Sequence, residues 1–294
     1  MNTAGHVAVL MSARVERAVD DALVTRLRKR FPELGDPNWL AERVAVEFAL
    51  PAGLAAGIRT ELIGRPIDSV CVPLANRRKR LLISDMDSTI IGQECIDELA
   101  ALAGVGEKVA RITERSMRGE LDFEQSLRER VALLAGLPEI AITEVLEKRV
   151  TLNPGARELV MTMRAHGAHT ALVSGGFRQF TSAVAAQSGF AEERANTLLI
   201  KGGRLTGRLA EPVLDADAKR QAMLEMTAAR KLSAADVLAI GDGANDIPML
   251  SEAGVGIAYR AKLAVETKAK FALRHADLTG ALFIQGYRES EFVA

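Results

Sequence analysis

The chain has 294 residues, 48% of them apolar and 26% charged, an ordinary globular make-up long enough for one substantial core and a smaller unit. Its 38 basic residues balance 38 acidic ones, which argues against nucleic acid or a membrane surface as the main partner. Cys71 and Cys95 show no CxxC spacing, and no apolar run approaches the length of a membrane span.

Residues 1–76 read as a first, small α/β unit. Val7–Leu10 is a short apolar run, Val15–Arg30 has helical spacing, and Val44–Leu50 alternates as a strand does. Pro51 and Gly53 open a second helical stretch to about Ile63, and Ile67–Val72 is another short strand. The expected order is β-α-β-α-β. Met1–Leu10 lacks the basic start and long apolar run of a signal peptide, so a reducing cytoplasm is the expected setting. The run Arg77-Arg78-Lys79-Arg80 reads as a solvated linker.

Residues 77–294 follow another pattern. Leu81–Ser84, Thr170–Val173, Val237–Ile240 and Val255–Ala258 are continuous apolar runs, as in strands buried on both faces. Helical stretches at Ala156–His166, Phe177–Gln187 and Ala216–Ala229 separate them, which predicts a doubly wound parallel sheet. Leu198–Leu209 reads as an inserted hairpin. From about 92 to 151 only helical spacing occurs, and an insertion there predicts a helical cap over the sheet's active edge.

The polar residues cluster where ligands of such sheets bind, beyond the strands' carboxyl ends. The first strand runs into Asp85-Met86-Asp87-Ser88-Thr89, another into Ser174-Gly175-Gly176, and a third into Gly241-Asp242-Gly243-Ala244-Asn245-Asp246, with Lys219 between the last two. Phosphoryl transfer needs an anionic nucleophile and cations that offset its repulsion from phosphate. Asp85 is the candidate nucleophile, and Asp87 the acid and then the base. Magnesium takes hard oxygen ligands, here the Asp85 and Asp242 carboxylates and the Asp87 main-chain carbonyl. Ser174 and the amides of Gly175 and Gly176 can cradle phosphate, Lys219 supplies a point charge, and Asn245 an amide. Asp246 is placed to orient the metal shell or the lysine. His6, His166, His169 and His275 form no metal-binding spacing and read as structural or surface residues.

These motifs resemble those of the haloacid dehalogenase superfamily and, within it, the phosphoserine phosphatases. The likeness runs from about Lys79 to the C-terminus and includes Ile96-Asp97-Glu98-Leu99-Ala100 and Phe123-Glu124-Gln125-Ser126-Leu127-Arg128. It implies a Rossmann-like core, a helical cap, magnesium, and hydrolysis of O-phospho-L-serine through an aspartyl-phosphate, the last step of serine synthesis. In the family pattern Glu94 would bind the substrate ammonium and Arg130 its carboxylate, with Met117 and Phe123 closing the pocket. Phe123, Leu127 and Arg130 share one helix face by spacing. Alternatives stay open: phosphotransfer to another small alcohol, hydrolysis of another small phosphomonoester, and an amino-acid sensor on a silent core. For the first unit, an ACT-like amino-acid-binding module and a scaffold for homodimerisation are both compatible.

Overall fold

The structure, a computed structural model, describes residues 5–50, 53–118, 120–214 and 216–294. Its N-terminal part runs β1 (His6–Met11), α1 (Asp21–Arg30), β2 (Asn38–Ala41), β3 (Ala45–Leu50), α2 (Ala55–Glu61) and β4 (Asp68–Pro73). The strands form an antiparallel sheet in the order β2-β3-β1-β4. Asp20 caps α1 by accepting from the Leu23 amide at 2.7 Å, and Arg28, Lys29 and Arg30 in its last turn complement the helix dipole. The period-two alternation of β1 buries both faces. Ala8 and Leu10 pack with Leu23, Leu27 and Phe48, while Val7, Val9 and Met11 join the core that contains Phe283 and Ile284.

Two expectations for this region change. Strand β2 was not foreseen, because four residues at a sheet edge carry too little alternation to be read. The basic run at 77–80 is not a solvated linker throughout. Arg77 donates to the carbonyls of Ile284 (2.7 Å) and Phe283 (3.1 Å), and buried Lys79 donates to those of Asn76 (2.5 Å) and Ala235 (2.7 Å). Long cationic side chains here satisfy carbonyls that the packed seam would strand.

Next come β5 (Leu81–Ser84) and the cap helices α3 (Cys95–Leu102), α4 (Gly106–Met117), α5 (Phe123–Ala132) and α6 (Ile140–Lys148). A capping box starts α5, with Asp122 accepting from the Gln125 amide at 2.8 Å. Leu99, Val109, Leu127, Val131 and Val145 are buried within this insertion. The chain returns through α7 (Ala156–Ala165) to β6 (His169–Phe177), α8 (Arg178–Ser188) and β7 (Glu192–Asn196). An antiparallel hairpin, β8 (Leu198–Lys201) and β9 (Arg204–Leu209), precedes α9 (Ala216–Ala229). The remainder is β10 (Val237–Gly241), α10 (Ile247–Glu252), β11 (Val255–Tyr259), α11 (Leu263–Glu266), β12 (Phe271–Leu273) and α12 (Gly280–Ile284).

Six parallel strands form the central sheet in the order β12-β11-β10-β5-β6-β7. The four apolar runs are its middle. Edge strands β7 and β12 escaped the sequence reading because one is polar and the other has three residues. From β5 the chain winds out to β6 and β7, then returns to β10 on the other side. The strand order therefore reverses between β5 and β10, which opens a crevice beyond their carboxyl ends.

Candidate active site

Asp85 follows the last residue of β5, and its amide donates to the Ile240 carbonyl of β10 at 2.9 Å, fixing it at the switch point. One carboxylate oxygen accepts from the Met86 amide at 2.7 Å, and the other lies 2.7 Å from Lys219 Nζ. Lys219, 2% exposed on α9, also lies 2.7 Å from Asp246 Oδ1. Asp246 accepts from the Gly243 amide at 3.0 Å with its second oxygen. A Cβ at Gly241 would sit 2.3 Å from Asp246 Cγ, so glycine there lets the acid reach the lysine.

Carboxylate oxygens of Asp85, Asp242 and Asp246 lie within 4.8 Å of one another. Burial, then Asp246, pushes the Asp85 pKa well up despite Lys219. Burial, Asp246 and Glu94 raise Asp242 to about 7. For Lys219, burial works downward but the two carboxylates outweigh it and the pKa is raised. Three acids thus converge on one ammonium, and an all-oxygen donor set with excess negative charge fits a hard divalent cation.

Asp87 stands on the crevice side of this cluster. Its Oδ1 accepts from the Cys95 amide, the first residue of α3, at 3.1 Å, and burial chiefly raises its pKa. A Cβ at Gly176 would lie 2.7 Å from Asp87 Oδ2, so the bare backbone makes room for the acid. The Gly176 amide donates to Ser174 Oγ at 2.9 Å, within a strand that runs on irregularly to Phe177 rather than ending at Val173. Asn196 accepts from the Leu214 amide at 2.7 Å and donates to the Gly175 carbonyl at 2.9 Å, bracing that irregular strand end.

A cavity of about 190 Å³ opens above, lined by Asp85, Asp87, Ser174, Gly175, Gly176, Asp242 and Asn245 from the sheet, and by Glu94, Phe123, Leu127 and Arg130 from the cap. Phe123 packs directly on Gly175. Arg130, half-buried, donates to the Ser126 carbonyl at 3.3 Å; burial lowers its pKa, and Asp97, Glu94 and Asp87 oppose this. Glu94 accepts from Ser88 Oγ at 2.6 Å. Burial, then Asp87, raises the Glu94 pKa, although the residue is exposed at the cavity wall. The Met117 side chain lies outside the described residues. A larger cavity, about 590 Å³, lies at the seam of β4 and β12 among Arg59, Arg65 and Arg274, away from the acid cluster, so size does not select the site.

Supports that the motifs do not name hold these residues. Thr89, fully buried, donates to Asp242 Oδ1 at 3.0 Å; its place in the first motif was the available signal. Ser88 stands in the same motif and bonds Glu94 only six residues on, and Cys95 meets Asp87 across eight, whereas Asn196 reaches Gly175 and Leu214 through contacts that the fold sets.

The model for haloacid dehalogenase-like hydrolases matches residues 82–251, the span from β5 into α10. The chain belongs to that family. It is 41% identical over 256 residues to a phosphoserine phosphatase of Streptomyces coelicolor, covering 85% of this chain and 62% of that one. With a phosphoserine phosphatase of Albidiferax ferrireducens the identity is 42% over 220 residues, 73% of this chain and 93% of that one. Among solved structures, a probable phosphoserine phosphatase from Vibrio cholerae in its unliganded form matches with a TM-score of 0.81 at 35% identity, over 96% of this chain and 86% of that one. The chain therefore spans less than two thirds of the Streptomyces relative's length but nearly all of the Albidiferax one.

Proposed function

We propose that the chain is a magnesium-dependent phosphoserine phosphatase, releasing L-serine and phosphate from O-phospho-L-serine. The observation that carries this reading is one cavity with two chemistries. Asp85, Asp87 and Asp242 line its floor, with Lys219 and Asp246 buried behind Asp85, and its roof presents Glu94 and Arg130. Such a space suits a phosphate at the floor and an amino acid's ammonium and carboxylate at the roof.

In the first step a carboxylate oxygen of Asp85 attacks phosphorus and the bond to the serine oxygen breaks. Asp87, whose raised pKa favours the protonated acid, gives its proton to the departing alkoxide. In the second step Asp87, now a carboxylate, takes a proton from water as that water attacks phosphorus. The Asp85–phosphate bond breaks, and phosphate leaves. Magnesium, held by the Asp85 and Asp242 carboxylates and the Asp87 carbonyl, would supply the positive charge that offsets anion–anion repulsion. Lys219 holds Asp85 in place and faces the same charge, while Ser174, Gly175 and Asn245 border the phosphate. Glu94 would take the ammonium, Arg130 the carboxylate in a forked pair, and Phe123 with Met117 would close the pocket.

We take residues 1–76 as a separate folding unit on the hydrolase part, 77–294, with the cap at about 92–151. Its own buried cluster, with Leu10, Leu23, Phe48 and Ile58, supports that division. Serine synthesis places the enzyme in the cytoplasm; no helix of the described residues is long and apolar enough to cross a membrane.

The deciding experiment is phosphate release from O-phospho-L-serine, with magnesium and with EDTA, beside phosphothreonine and p-nitrophenyl phosphate. Fast, magnesium-dependent release selective for phosphoserine is expected, and Asp85→Asn abolishes it with the fold intact. Turnover of the aryl phosphate alone would keep the mechanism and overturn the substrate.

A further inference from the structure

The chain passes between sheet and cap twice, at residues 89–93 on the way out and at 151–153 on the way back. These two crossings are bonded to each other. Ile91 and Leu152 form an antiparallel bridge, the Gly92 amide donates to the Thr151 carbonyl at 3.2 Å, and the Asn153 amide donates to the Ile90 carbonyl at 2.8 Å. Side chains tighten the pair. Gln93 Nε2 donates to Thr151 Oγ1 at 3.0 Å, and the Thr151 amide donates back to Gln93 Oε1 at 2.9 Å. The Asn153 carboxamide donates to two carbonyls of the outgoing crossing, those of Thr89 at 2.8 Å and Ile91 at 3.1 Å.

Thr89 is where this junction meets the acid cluster. Its carbonyl is held by Asn153 from the returning strand, and its hydroxyl donates to Asp242 Oδ1. The residue is wholly buried, and its backbone is the end of a tight turn in which the Thr89, Ile90 and Ile91 amides all point to the Met86 carbonyl. Only one further link separates Asn153 from a carboxylate of the cluster, and it runs through a side chain with no room to swing. A shift of the returning crossing would move the Thr89 peptide, and with it the hydroxyl that orients Asp242.

We infer that Asn153 is a positioning residue, which pins the cap's two crossings together and, through Thr89, sets the orientation of Asp242 toward the cation. This rests on the phosphatase reading above for the identity of the cation, and it assigns Asn153 a part that neither motif spacing nor cavity lining gives it. Placement of the cap and placement of a metal-facing carboxylate are then one mechanical unit.

The test is a calorimetric titration of magnesium into the full-length chain, without substrate, for the wild type, Asn153→Ala, Thr89→Val and the double variant. Loss of an orienting bond should weaken magnesium binding about tenfold in Thr89→Val and about fivefold in Asn153→Ala. Because both act along one route, the double variant should stay near about tenfold rather than reach the product of about fiftyfold. A purely structural role for Asn153 would lower the unfolding midpoint and leave the affinity of the folded protein unchanged. Affinity within about twofold of wild type in Asn153→Ala, or a multiplicative double variant, overturns the inference. Since the titration needs no turnover, an unresponsive titration beside normal phosphoserine hydrolysis overturns the positioning role alone. A responsive titration without hydrolysis supports the positioning role and overturns the substrate reading.

Discussion

Replacing Lys219 with methionine isolates the electrostatics on which the floor of the cavity stands. The ammonium is 2% exposed and lies 2.7 Å from both Asp85 and Asp246, themselves buried. Methionine keeps most of the volume, so the cavity term is small and the charge term dominates. Removing one partner of a buried ion pair costs about 3–5 kcal/mol, because the carboxylate left behind has lost both water and its cation. Here two acids are stranded, so the upper part of that range is expected at pH 8 in EDTA. The pH dependence has a definite sign. Without the lysine the folded-state pKa of Asp85 rises further above its unfolded value, so the native state binds the extra proton. Stability of the variant then grows as pH falls from 8 toward 5, and its deficit against wild type narrows. Urea denaturation at both pH values reads this directly, and adding Asp246→Asn to the variant should return about 1–2 kcal/mol by removing one stranded charge. A Lys219→Met deficit below about 1 kcal/mol at pH 8 would refute the reasoning, since no buried unpaired carboxylate could then exist.

Arg130→Ala should cut kcat/KM for phosphoserine by about 10- to 100-fold, the loss of a charged hydrogen-bonded pair, and change p-nitrophenyl phosphate turnover by less than about threefold. Equal losses on both substrates would remove Arg130 from carboxylate recognition. Asp242, raised to about 7, must give up a proton to hold a cation, so apparent magnesium affinity should fall about tenfold between pH 8 and pH 6; calorimetry showing a flat affinity across that window would contradict it. Ser88 sits at φ +53° and donates to Glu94, so Ser88→Gly should relieve backbone strain of about 1 kcal/mol while raising the KM for phosphoserine. An unchanged KM would mean that Glu94 needs no such support. Asp68 of β4 accepts from the amides of Arg274, His275 and Ala276 at 2.9–3.1 Å, and Asp68→Ala should cost about 2–4 kcal/mol in thermal or urea unfolding; a loss under about 0.5 kcal/mol would show that water replaces the carboxylate there.

Features that depend on near neighbours were legible in the residues alone. Continuous apolar runs marked the four central strands, helical period marked α9 at its observed bounds, and the absence of strand pattern at 92–151 marked an all-helical insertion. Asp85 and Asp242 at strand ends, and Ser174 near one, lie on one edge, because a parallel sheet brings every carboxyl end to the same side. The three-dimensional fold sets which groups touch. Thr89 meets Asp242 across 153 residues, and Asn153 meets Thr89 across 64, contacts created by strand order and by the cap's return rather than by any local period. It also decided that the Gly176 amide is taken by Ser174, that Lys79 points inward to carbonyls, and that polar β7 and short β12 are strands at all. Edge strands and buried polar bonds draw their stability from partners distant in the chain, so their own residues carry little record of them.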